Sequence, residues 1–179
     1  MNDFCTDPEV LWSEDWLKNQ EPHYRKIVPF FKDKLKGKIL DIGERNPLTV
    51  RLEKEYGVKI DNTREDLDCT LSLHGGIYDT IICSHIIEHL FNPLLFLWHI
   101  KSIMRDKLYI IAPIKPYWIT PAKCHFHEMD EYRFKKLIER AGLKIMAWET
   151  YSVPIKWTFS VRNWLRRLYN EYSIVTCSL

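Results

Sequence analysis

Short runs of apolar residues, typical of buried strands, alternate along this chain with segments whose apolar residues have the spacing of a helix. The segment 38–43, KILDIG, predicts a buried strand that stops at Gly43. Apolar positions with helical spacing follow over 47–56, and the short segment 58–61 predicts a second strand. The chain thus begins its regular part as a strand–helix–strand unit.

The same alternation continues to the end of the sequence. Further strands are predicted at 78–84, 107–113, 143–151 and 172–178, with a weak one near 67–71. Further helices are predicted at 8–18, 22–36, 93–104, 130–141 and 157–172. Alternating strands and helices favour an α/β fold with a Rossmann-like, doubly wound and mostly parallel sheet.

The length and the spacing of these elements indicate one domain over 1–179, in which N-terminal helices within 1–37 precede a core over 38–179. One region departs from the pattern. Only the residues 62–77 separate the second strand from the next clear one, which is too few for an ordinary strand with two full crossovers. We therefore expect the sheet to be shortened after strand 2.

Composition narrows the classes of function. The 179 residues carry a net charge of +2, too small to indicate a nucleic-acid partner, and 46% are hydrophobic, as in ordinary globular proteins. The five cysteines are scattered without a C-x-x-C pair, so we expect neither a disulfide framework nor a zinc ribbon, and a reducing cytoplasm fits best. No secretory signal and no membrane span is predicted.

Candidate binding residues stand at the predicted strand ends, where open parallel sheets bind ligands. The first strand runs into Asp41, Gly43 and Glu44, and the second ends at Asp61. A carboxylate at the second tip is suited to accept hydrogen bonds from both hydroxyls of a ribose. The alternative, that Asp41 and Asp61 are solvated strand-end residues, is equally good for either one alone.

The turn after the first strand reads GERNPLT and holds a single glycine. A dinucleotide cofactor asks for G-x-G-x-x-G there, because its pyrophosphate approaches the backbone closely. S-adenosylmethionine (SAM), which carries a carboxylate and a sulfonium cation, makes fewer demands on the turn. The sequence therefore favours SAM over a nicotinamide cofactor.

Several segments, in matching order, resemble the class I SAM-dependent methyltransferases that act on small molecules, of the methyltransferase type 11 kind. They are KILDIGERNPLT, VKID, YDTIICSHIIEHLFNPLLFLWHI, LYIIAP and HFHEMDEYRFKKLIERAGLKI. The resemblance implies a seven-stranded sheet whose last strand is antiparallel. The chain departs from the family in having Glu44-Arg45-Asn46 where the usual G-x-G motif continues.

The resemblance also implies roles for individual residues. Gly43 would allow close approach of the backbone to the cofactor, and Asp61 would bind the ribose. Asp68 and Cys69 would lie near the adenine, and Ser84 and His85 would line the pocket beside the methyl group.

The segment His85-x-x-Glu88-His89 also has the ligand spacing of some zinc peptidases. That alternative needs an established helix, whereas His85 directly follows a strand and Pro93 comes soon after His89. We therefore expect Glu88 and His89 to bond backbone groups of a neighbouring loop. His85 is the better candidate for catalysis.

A second histidine cluster lies at 125–128, before the predicted helix 130–141. His125 could orient a substrate or remove a proton from a hydroxyl, since an imidazole titrates near neutral pH. A loop histidine bonded to backbone is the alternative. Tyr117, Trp118 and Met129 would either wall the same cavity or pack in the core.

The segment 157–172 forms an amphipathic pattern with arginines opposite an apolar face. It predicts peripheral contact with an anionic membrane surface, a lid over an apolar substrate or, more commonly for such a stripe, packing against the sheet. Taken together, the sequence predicts methyl transfer from SAM to a small-molecule acceptor, with His85 or His125 as the base. An inactive methyltransferase-like binding domain is the stronger alternative, and a zinc hydrolase the weaker.

Overall fold

The structure is a computed structural model that describes residues 8–63, 67–68, 76–114, 124–153 and 171–179. In this part of the chain one sheet has six strands, arranged in the order β2-β1-β3-β4-β6-β5. The strands are β1 Ile39–Asp41, β2 Ile60–Asn62, β3 Tyr78–Ser84, β4 Met104–Pro113, β5 Lys144–Ser152 and β6 Glu171–Ser178. Each falls on a segment for which the sequence predicts a strand.

The sheet is mixed. The strands β1 to β4 run parallel, and β6 runs antiparallel to both of its neighbours, β4 and β5. The predicted α/β class and the antiparallel last strand are therefore confirmed. Seven strands are not observed among the described residues: of the weak strand expected near 67–71, Leu67 and Asp68 lie in a turn, and the rest lies outside the described part of the chain.

Helices cover the sheet between these strands: α1 Pro8–Leu11, α2 Glu14–Phe30, α3 Pro47–Tyr56, α4 Pro93–Ile103 and α5 Glu131–Arg140, with a 3₁₀ turn at Ile87–His89. Three of them begin with the same device. Asn46, Asn92 and Asp130 accept hydrogen bonds from the first backbone N–H groups of α3, α4 and α5. Proline follows directly after both asparagines, where its missing N–H costs nothing.

The predicted N-terminal helices, 8–18 and 22–36, are wrong in their division. The structure has a short α1 and then one helix, α2, which starts after Ser13 and continues through both Pro22 and Pro29. Ser13 accepts a hydrogen bond from Trp16 N–H at 3.3 Å, which makes it the start signal. The cap at Ser13 therefore places the start of the long helix well before residue 22, where the second helix was predicted to begin.

Each face of the sheet carries its own core. One core lies under α4 and α5 and contains Leu40, Ile42 and Phe96. The other lies under α2 and α3 and contains Ile39, Leu52 and Phe31. Because neighbouring residues of a strand point to opposite faces, β1 feeds both cores in turn. The short strand β1 is thereby fixed at the centre of the molecule, and its carboxyl end is held rigidly.

Within the described ranges, none of the helices is both long and apolar enough to cross a bilayer. The amphipathic segment predicted at 157–172 lies outside them except for its last two residues, which begin β6. The expectation of no disulfide is wrong for Cys124, which is disulfide-bonded, whereas Cys83 and Cys177 are free and buried. Sequence spacing could not show this pairing, because the fold rather than a local motif brings the sulfur atoms together.

Candidate functional site

The carboxyl ends of the parallel strands meet at one edge of the sheet. Strand pairing places Asp41 beside both Asn62 and Ile82, and brings Ser84 level with Ile111. Ligands bind at this edge in open α/β sheets. The candidate site is therefore assembled from the residues that follow β1, β2 and β3.

The loop after β1 is bonded to the end of β2. Gly43 has a φ of 97°, a conformation that side-chain-bearing residues rarely adopt, and a Cβ there would meet Ile86 Cδ1 at 3.3 Å. Its N–H donates to Thr63 Oγ1 at 2.7 Å, and its carbonyl oxygen accepts from Asn62 Nδ2 at 3.3 Å. The loop and the tip of β2 thus form one connected wall.

Asp41 lies inside this wall and holds it together. Its side chain is fully buried, and Oδ2 accepts hydrogen bonds from Thr49 Oγ1 at 2.5 Å and Asn46 Nδ2 at 3.0 Å. Burial raises the pKa of this carboxyl to about 6, against the lowering effect of the hydrogen bonds. Because these bonds go to α3 and its cap, Asp41 braces the loop.

The residues that replace the expected glycine motif have structural roles of their own. The Arg45 side chain forms an ion pair with Glu53 on α3, and Asn46 caps that helix through Leu48 N–H at 2.9 Å. Glu44 is exposed. The turn is therefore anchored to α3 by polar side chains in place of close glycine packing.

Asp61 lies on the other face of the sheet from Asp41. It pairs in register with Leu40, whose side chain belongs to the core under α4 and α5. The Asp61 side chain is half-buried and accepts no hydrogen bond from the described residues. The two carboxylates predicted at neighbouring strand ends therefore have different roles. Asp41 is buried and supports the loop, whereas Asp61 is available to accept hydrogen bonds.

The other predicted cofactor-binding residues follow β2 and β3. Asp68 is exposed and its Oδ1 accepts a hydrogen bond from Phe91 N–H at 2.8 Å, which ties its turn to the residues before α4. Cys69 lies outside the described residues. Ser84 ends β3 and is half-buried at the site edge.

His85, the first catalytic candidate, adopts a left-handed backbone conformation with φ of 55°. Its N–H donates to the Ile111 carbonyl oxygen at 2.8 Å, which holds the turn against β4. Its ring Nδ1 lies 3.3 Å from Glu88 Oε1, while Nε2 is buried and has no hydrogen-bond partner. A strained residue held this firmly is typical of a functional turn.

Glu88 orients the ring of His85. It is only 2% exposed. Burial is the largest single influence and raises the pKa of its carboxyl, but the hydrogen bond and charge of His85 and the charge of His89 together lower it, and the net direction is downward. An ionised Glu88 accepts a hydrogen bond from the protonated Nδ1 of His85. The other ring nitrogen, Nε2, then carries the lone pair. The pair has the chemistry of a base and the group that orients it.

Three residues that the sequence analysis missed surround His85. His23 of α2 lies with its ring centroid 5.8 Å from that of His85 and 4.6 Å from that of Tyr172. Its Nδ1 lies 3.4 Å from the Tyr151 hydroxyl. Burial lowers the pKa of His23 to about 3, with a further contribution from the charge of His85. The pocket side of His85 is therefore aromatic and holds a neutral histidine.

A usable signal for part of this cluster was present in the sequence. A last strand that runs antiparallel to its neighbours must begin at the edge where the parallel strands end. The register pairs Tyr172 with Pro113 at the end of β4 and with Tyr151. The predicted topology therefore already implied that the first residue of the last strand faces the site.

His125, the second catalytic candidate, lies in a different cluster. Its ring centroid is 4.8 Å from that of His89, whose Nδ1 lies 2.9 Å from the Cys124 carbonyl oxygen. Burial lowers the pKa of His125, against the raising effect of Glu88. The expectation that His89 bonds backbone of a neighbouring loop is confirmed. His85 and His89 point to separate neighbours, which is not the geometry of a shared zinc ion.

No protein-family model and no curated protein matches the sequence. Solved structures do match. Magnesium protoporphyrin IX methyltransferase from Synechocystis PCC 6803 with bound SAH is 15% identical, over 98% of this chain and 96% of its own, with a TM-score of 0.60. A SAM-dependent methyltransferase from Archaeoglobus fulgidus is 16% identical, over 93% of this chain and 100% of its own, with a TM-score of 0.59.

A third similar structure holds both a substrate and a cofactor product. The 1,6-didemethyltoxoflavin-N1-methyltransferase of Burkholderia thailandensis, with 1,6-didemethyltoxoflavin and S-adenosylhomocysteine bound, is 14% identical over 90% of this chain and 80% of its own, with a TM-score of 0.59. At such identities a likeness establishes architecture and leaves the reaction open. The architecture is that of the class I SAM-dependent methyltransferases.

Proposed function

We propose that this chain, which has the class I SAM-dependent methyltransferase fold, binds SAM and transfers its methyl group to a small-molecule acceptor. The observation that carries the proposal is the wall formed by the Gly43 loop and the end of β2. The Gly43 N–H donates to Thr63, and the Gly43 carbonyl oxygen accepts from Asn62, so both bonds hold Gly43 beside the strand that carries Asp61. A backbone segment that a cofactor could approach closely, at Gly43, is thus bonded to the strand that carries the available carboxylate of Asp61.

The residues of this wall fit the chemistry of SAM. Asp61 offers an acceptor for ribose hydroxyls, and the Asn62 Oδ1 atom is buried without a hydrogen-bond partner. Glu44 and Asp61 add negative charge that attracts a sulfonium cation. Ser84 and the turn after β3 would line the side on which the acceptor enters. When bound, SAM supplies an electrophilic methyl group.

Methyl transfer of this kind depends mainly on alignment of the reacting atoms. His85 adds a base where the acceptor is a hydroxyl or an amine. Its Nδ1–H donates to Glu88, its Nε2 is buried without a hydrogen-bond partner, and its ring lies edge-on to those of His23 and Tyr172. From there Nε2 would take the proton that the acceptor loses. The aromatic side chains around it favour a flat or apolar acceptor.

The direct test is calorimetric titration of SAM and S-adenosylhomocysteine into the purified protein. We expect saturable binding with one site per chain. Asp61→Ala removes hydrogen bonds to a charged acceptor and should weaken affinity about 10- to 100-fold. Asp106→Ala is the matched control, because Asp106 is an exposed aspartate near the start of β4, away from the carboxyl ends. Equal affinity of the Asp61 and Asp106 variants would refute the ribose assignment.

The base is tested by single-turnover transfer of a labelled methyl group to panels of phenols, amines and thiols. For a phenol or amine acceptor, His85→Asn should lower the rate of transfer about 10²- to 10⁴-fold, and by much more than it weakens SAM binding. Thiol acceptors, which ionise more readily, should be less affected. A variant that loses affinity and rate equally would show that His85 only shapes the pocket.

A methyltransferase-like binding domain without activity is the second candidate. It is favoured by the replaced glycine motif and by the Gly43 N–H, which is already engaged by Thr63 Oγ1. Ile86 also lies close over Gly43. Absence of measurable affinity for both SAM and its demethylated product would select this candidate.

A further inference from the structure

A cluster of metal-ligating side chains lies beside the candidate site and has no part in the proposed reaction. His89, Cys124 and His125 each offer one possible ligand atom, and these atoms lie within 4.8 Å of one another. His89 ends the 3₁₀ turn after β3, and the other two residues belong to the segment that leads to α5. Imidazole nitrogen and thiolate sulfur are the ligands that zinc prefers.

The ring of His89 is oriented as a metal ligand would be. Its Nδ1 lies 2.9 Å from the carbonyl oxygen of Cys124, and a carbonyl oxygen only accepts, so Nδ1 carries the proton. The lone pair is therefore on Nε2. Metal-bound histidines usually have their other nitrogen fixed in this way by a carbonyl or a carboxylate.

The second imidazole has an unsatisfied nitrogen. Nδ1 of His125 is buried and makes no hydrogen bond, although Glu128 Oε1 lies 3.3 Å away in a direction unsuited to one. Its ring stands edge-on to that of His89, with the planes at 82°. A buried nitrogen without a hydrogen-bond partner costs free energy. A bound metal ion, or a reoriented carboxylate, would remove that cost.

The sulfur of Cys124 is bonded to a second cysteine in this structure, and that cysteine lies outside the described residues. We propose that reduction of the disulfide at Cys124 creates a Zn²⁺ site formed by His89, Cys124 and His125. The disulfide and the metal site are alternative states of the same sulfur atom. The reduced state would place zinc 1:1 with the chain.

The chemistry of the change is balanced by a small dithiol. Two electrons and two protons pass to the S–S bond, the dithiol closes to its own cyclic disulfide, and two protein thiols form. The Cys124 thiol then loses its proton as its sulfur bonds to Zn²⁺. A water molecule takes the fourth position of a tetrahedral ion. In the reverse direction, an oxidising disulfide compound accepts the two electrons and zinc is released.

The required movement is small. Tetrahedral zinc with bonds of about 2.0–2.3 Å holds its ligand atoms roughly 3.3–3.7 Å apart. The atoms of the cluster, within 4.8 Å of one another, need to approach by about 1 Å. Rotation of side chains is enough for this, because all three residues are partly exposed.

The ion would strengthen a junction that the backbone already forms. The Glu88 carbonyl oxygen accepts from Phe126 N–H at 2.9 Å and from His127 N–H at 3.1 Å. Zinc would add bonds between the same two segments, next to the carboxylate that orients His85. Its role is therefore structural, and it holds the turn after β3 in place.

The experiment compares reduced and oxidised wild-type protein, both stripped of metal. Zinc is titrated in competition with a chromogenic chelator, and Co²⁺ is then added to the reduced protein as a spectroscopic probe. We expect one zinc per chain in the reduced protein only, a sulfur-to-cobalt charge-transfer band, and the intense visible bands of a tetrahedral ion. The cobalt bands need no variant and show directly whether a thiolate is bound.

Variants then assign the ligands. Cys124→Ser and His125→Gln should each weaken zinc binding by at least about 100-fold, since even residues that only support a ligand cost 10- to 100-fold. His99→Gln, a half-exposed histidine on α4, is the control and should bind as wild type does. Failure of reduced wild-type protein to bind zinc, equal binding in both redox states, or unchanged affinity in Cys124→Ser would each overturn the proposal.

Discussion

Asn62 Nδ2 lies 3.3 Å from the carbonyl oxygen of Gly43, so the end of β2 holds the loop after β1 by a side-chain hydrogen bond. The same nitrogen lies 3.3 Å from the carbonyl oxygen of Asp41. The Asn62 amide thus fixes a loop that close packing of glycines would fix in a glycine-rich turn. Asn62 therefore helps to fix the position of the loop, together with Arg45 and Asn46 within it.

Replacement of Asn62 should therefore loosen the candidate cofactor site. We expect Asn62→Ala to lower the free energy of unfolding by about 1–3 kcal/mol, because it leaves buried carbonyl groups without donors. We also expect weaker SAM binding. Urea unfolding and calorimetry measure the two effects.

Asn92→Ala is the matched control for this change. Asn92 caps α4 by accepting from Leu95 N–H at 3.1 Å, so its loss should cost about 1 kcal/mol. That cap lies outside the wall, and SAM affinity should stay as in the wild type. Similar loss of affinity in both variants would mean that stability alone, and not the loop, determines binding.

The buried carboxyl of Asp41 predicts a dependence of stability on pH. Burial raises its pKa from 3.8 to about 6, so the folded state binds the proton more tightly than the unfolded state. Its contribution is favourable below pH 3.8 and is lost as the pH rises to about 6. Asp41→Asn keeps an oxygen for Thr49 and Asn46 but cannot ionise.

We therefore expect Asp41→Asn to gain stability relative to wild type across that range, by about 3 kcal/mol. Urea unfolding at several pH values measures the difference, and the other ionisable groups cancel in it. A difference that does not change between pH 4 and 7 would show that the carboxyl titrates normally. The pH range of about 4 to 7 covers most of the interval between the pKa of a typical aspartate and the raised pKa of Asp41.

The neutral His23 predicts a dependence of the opposite sign. Its pKa is lowered from 6.5 to about 3, mainly by burial, so stability is fully present above pH 6.5 and falls as the pH drops towards 3. His23→Gln should remove this component, and the acid limb of its stability curve should be flatter by about 1.4 kcal/mol per pH unit. His99→Gln, at the half-exposed surface of α4, should leave the limb unchanged.

Two glycines with the same φ angle allow the cost of backbone strain to be measured apart from the cost of steric overlap. Gly37 and Gly57 both have φ of 64°, but a Cβ at Gly37 would overlap the Asp79 carboxylate, whereas nothing lies within 4 Å of one at Gly57. Asp79 Oδ2 accepts from Lys38 N–H at 2.8 Å and cannot move freely. Gly57→Ala should cost about 1–2 kcal/mol from strain, and Gly37→Ala clearly more. Equal losses in thermal unfolding would contradict the overlap.

The sheet could be predicted from sequence because its strands are short apolar runs separated by capped helices. Pro47 and Pro93 mark the starts of α3 and α4, and Gly57 marks the end of α3, so local chemistry divides this part of the chain. The closeness of Gly43 to the second strand followed from parallel pairing. The brace made by Asp41 did not follow, because the face of a three-residue strand depends on register.

The contact of His23 with Tyr151, beside His85, was beyond prediction for a different reason. His23 and Tyr151 lie 128 residues apart in the chain, and their contact exists only when α2 is seated on the finished sheet. The disulfide at Cys124 is equally a product of the fold. Local pattern specifies elements, whereas contacts over such distances require the complete topology.

The position of β6 between β4 and β5 imposes an order on assembly. During synthesis β5 emerges first, yet among the described strands it pairs only with β6, which is translated later. The hairpin edge of the sheet, with Tyr151 stacked on Tyr172, can close only after the terminal strand has inserted. A nascent chain arrested before that point would carry the parallel half of the sheet with the β4 flank uncovered, a surface suited to chaperone capture.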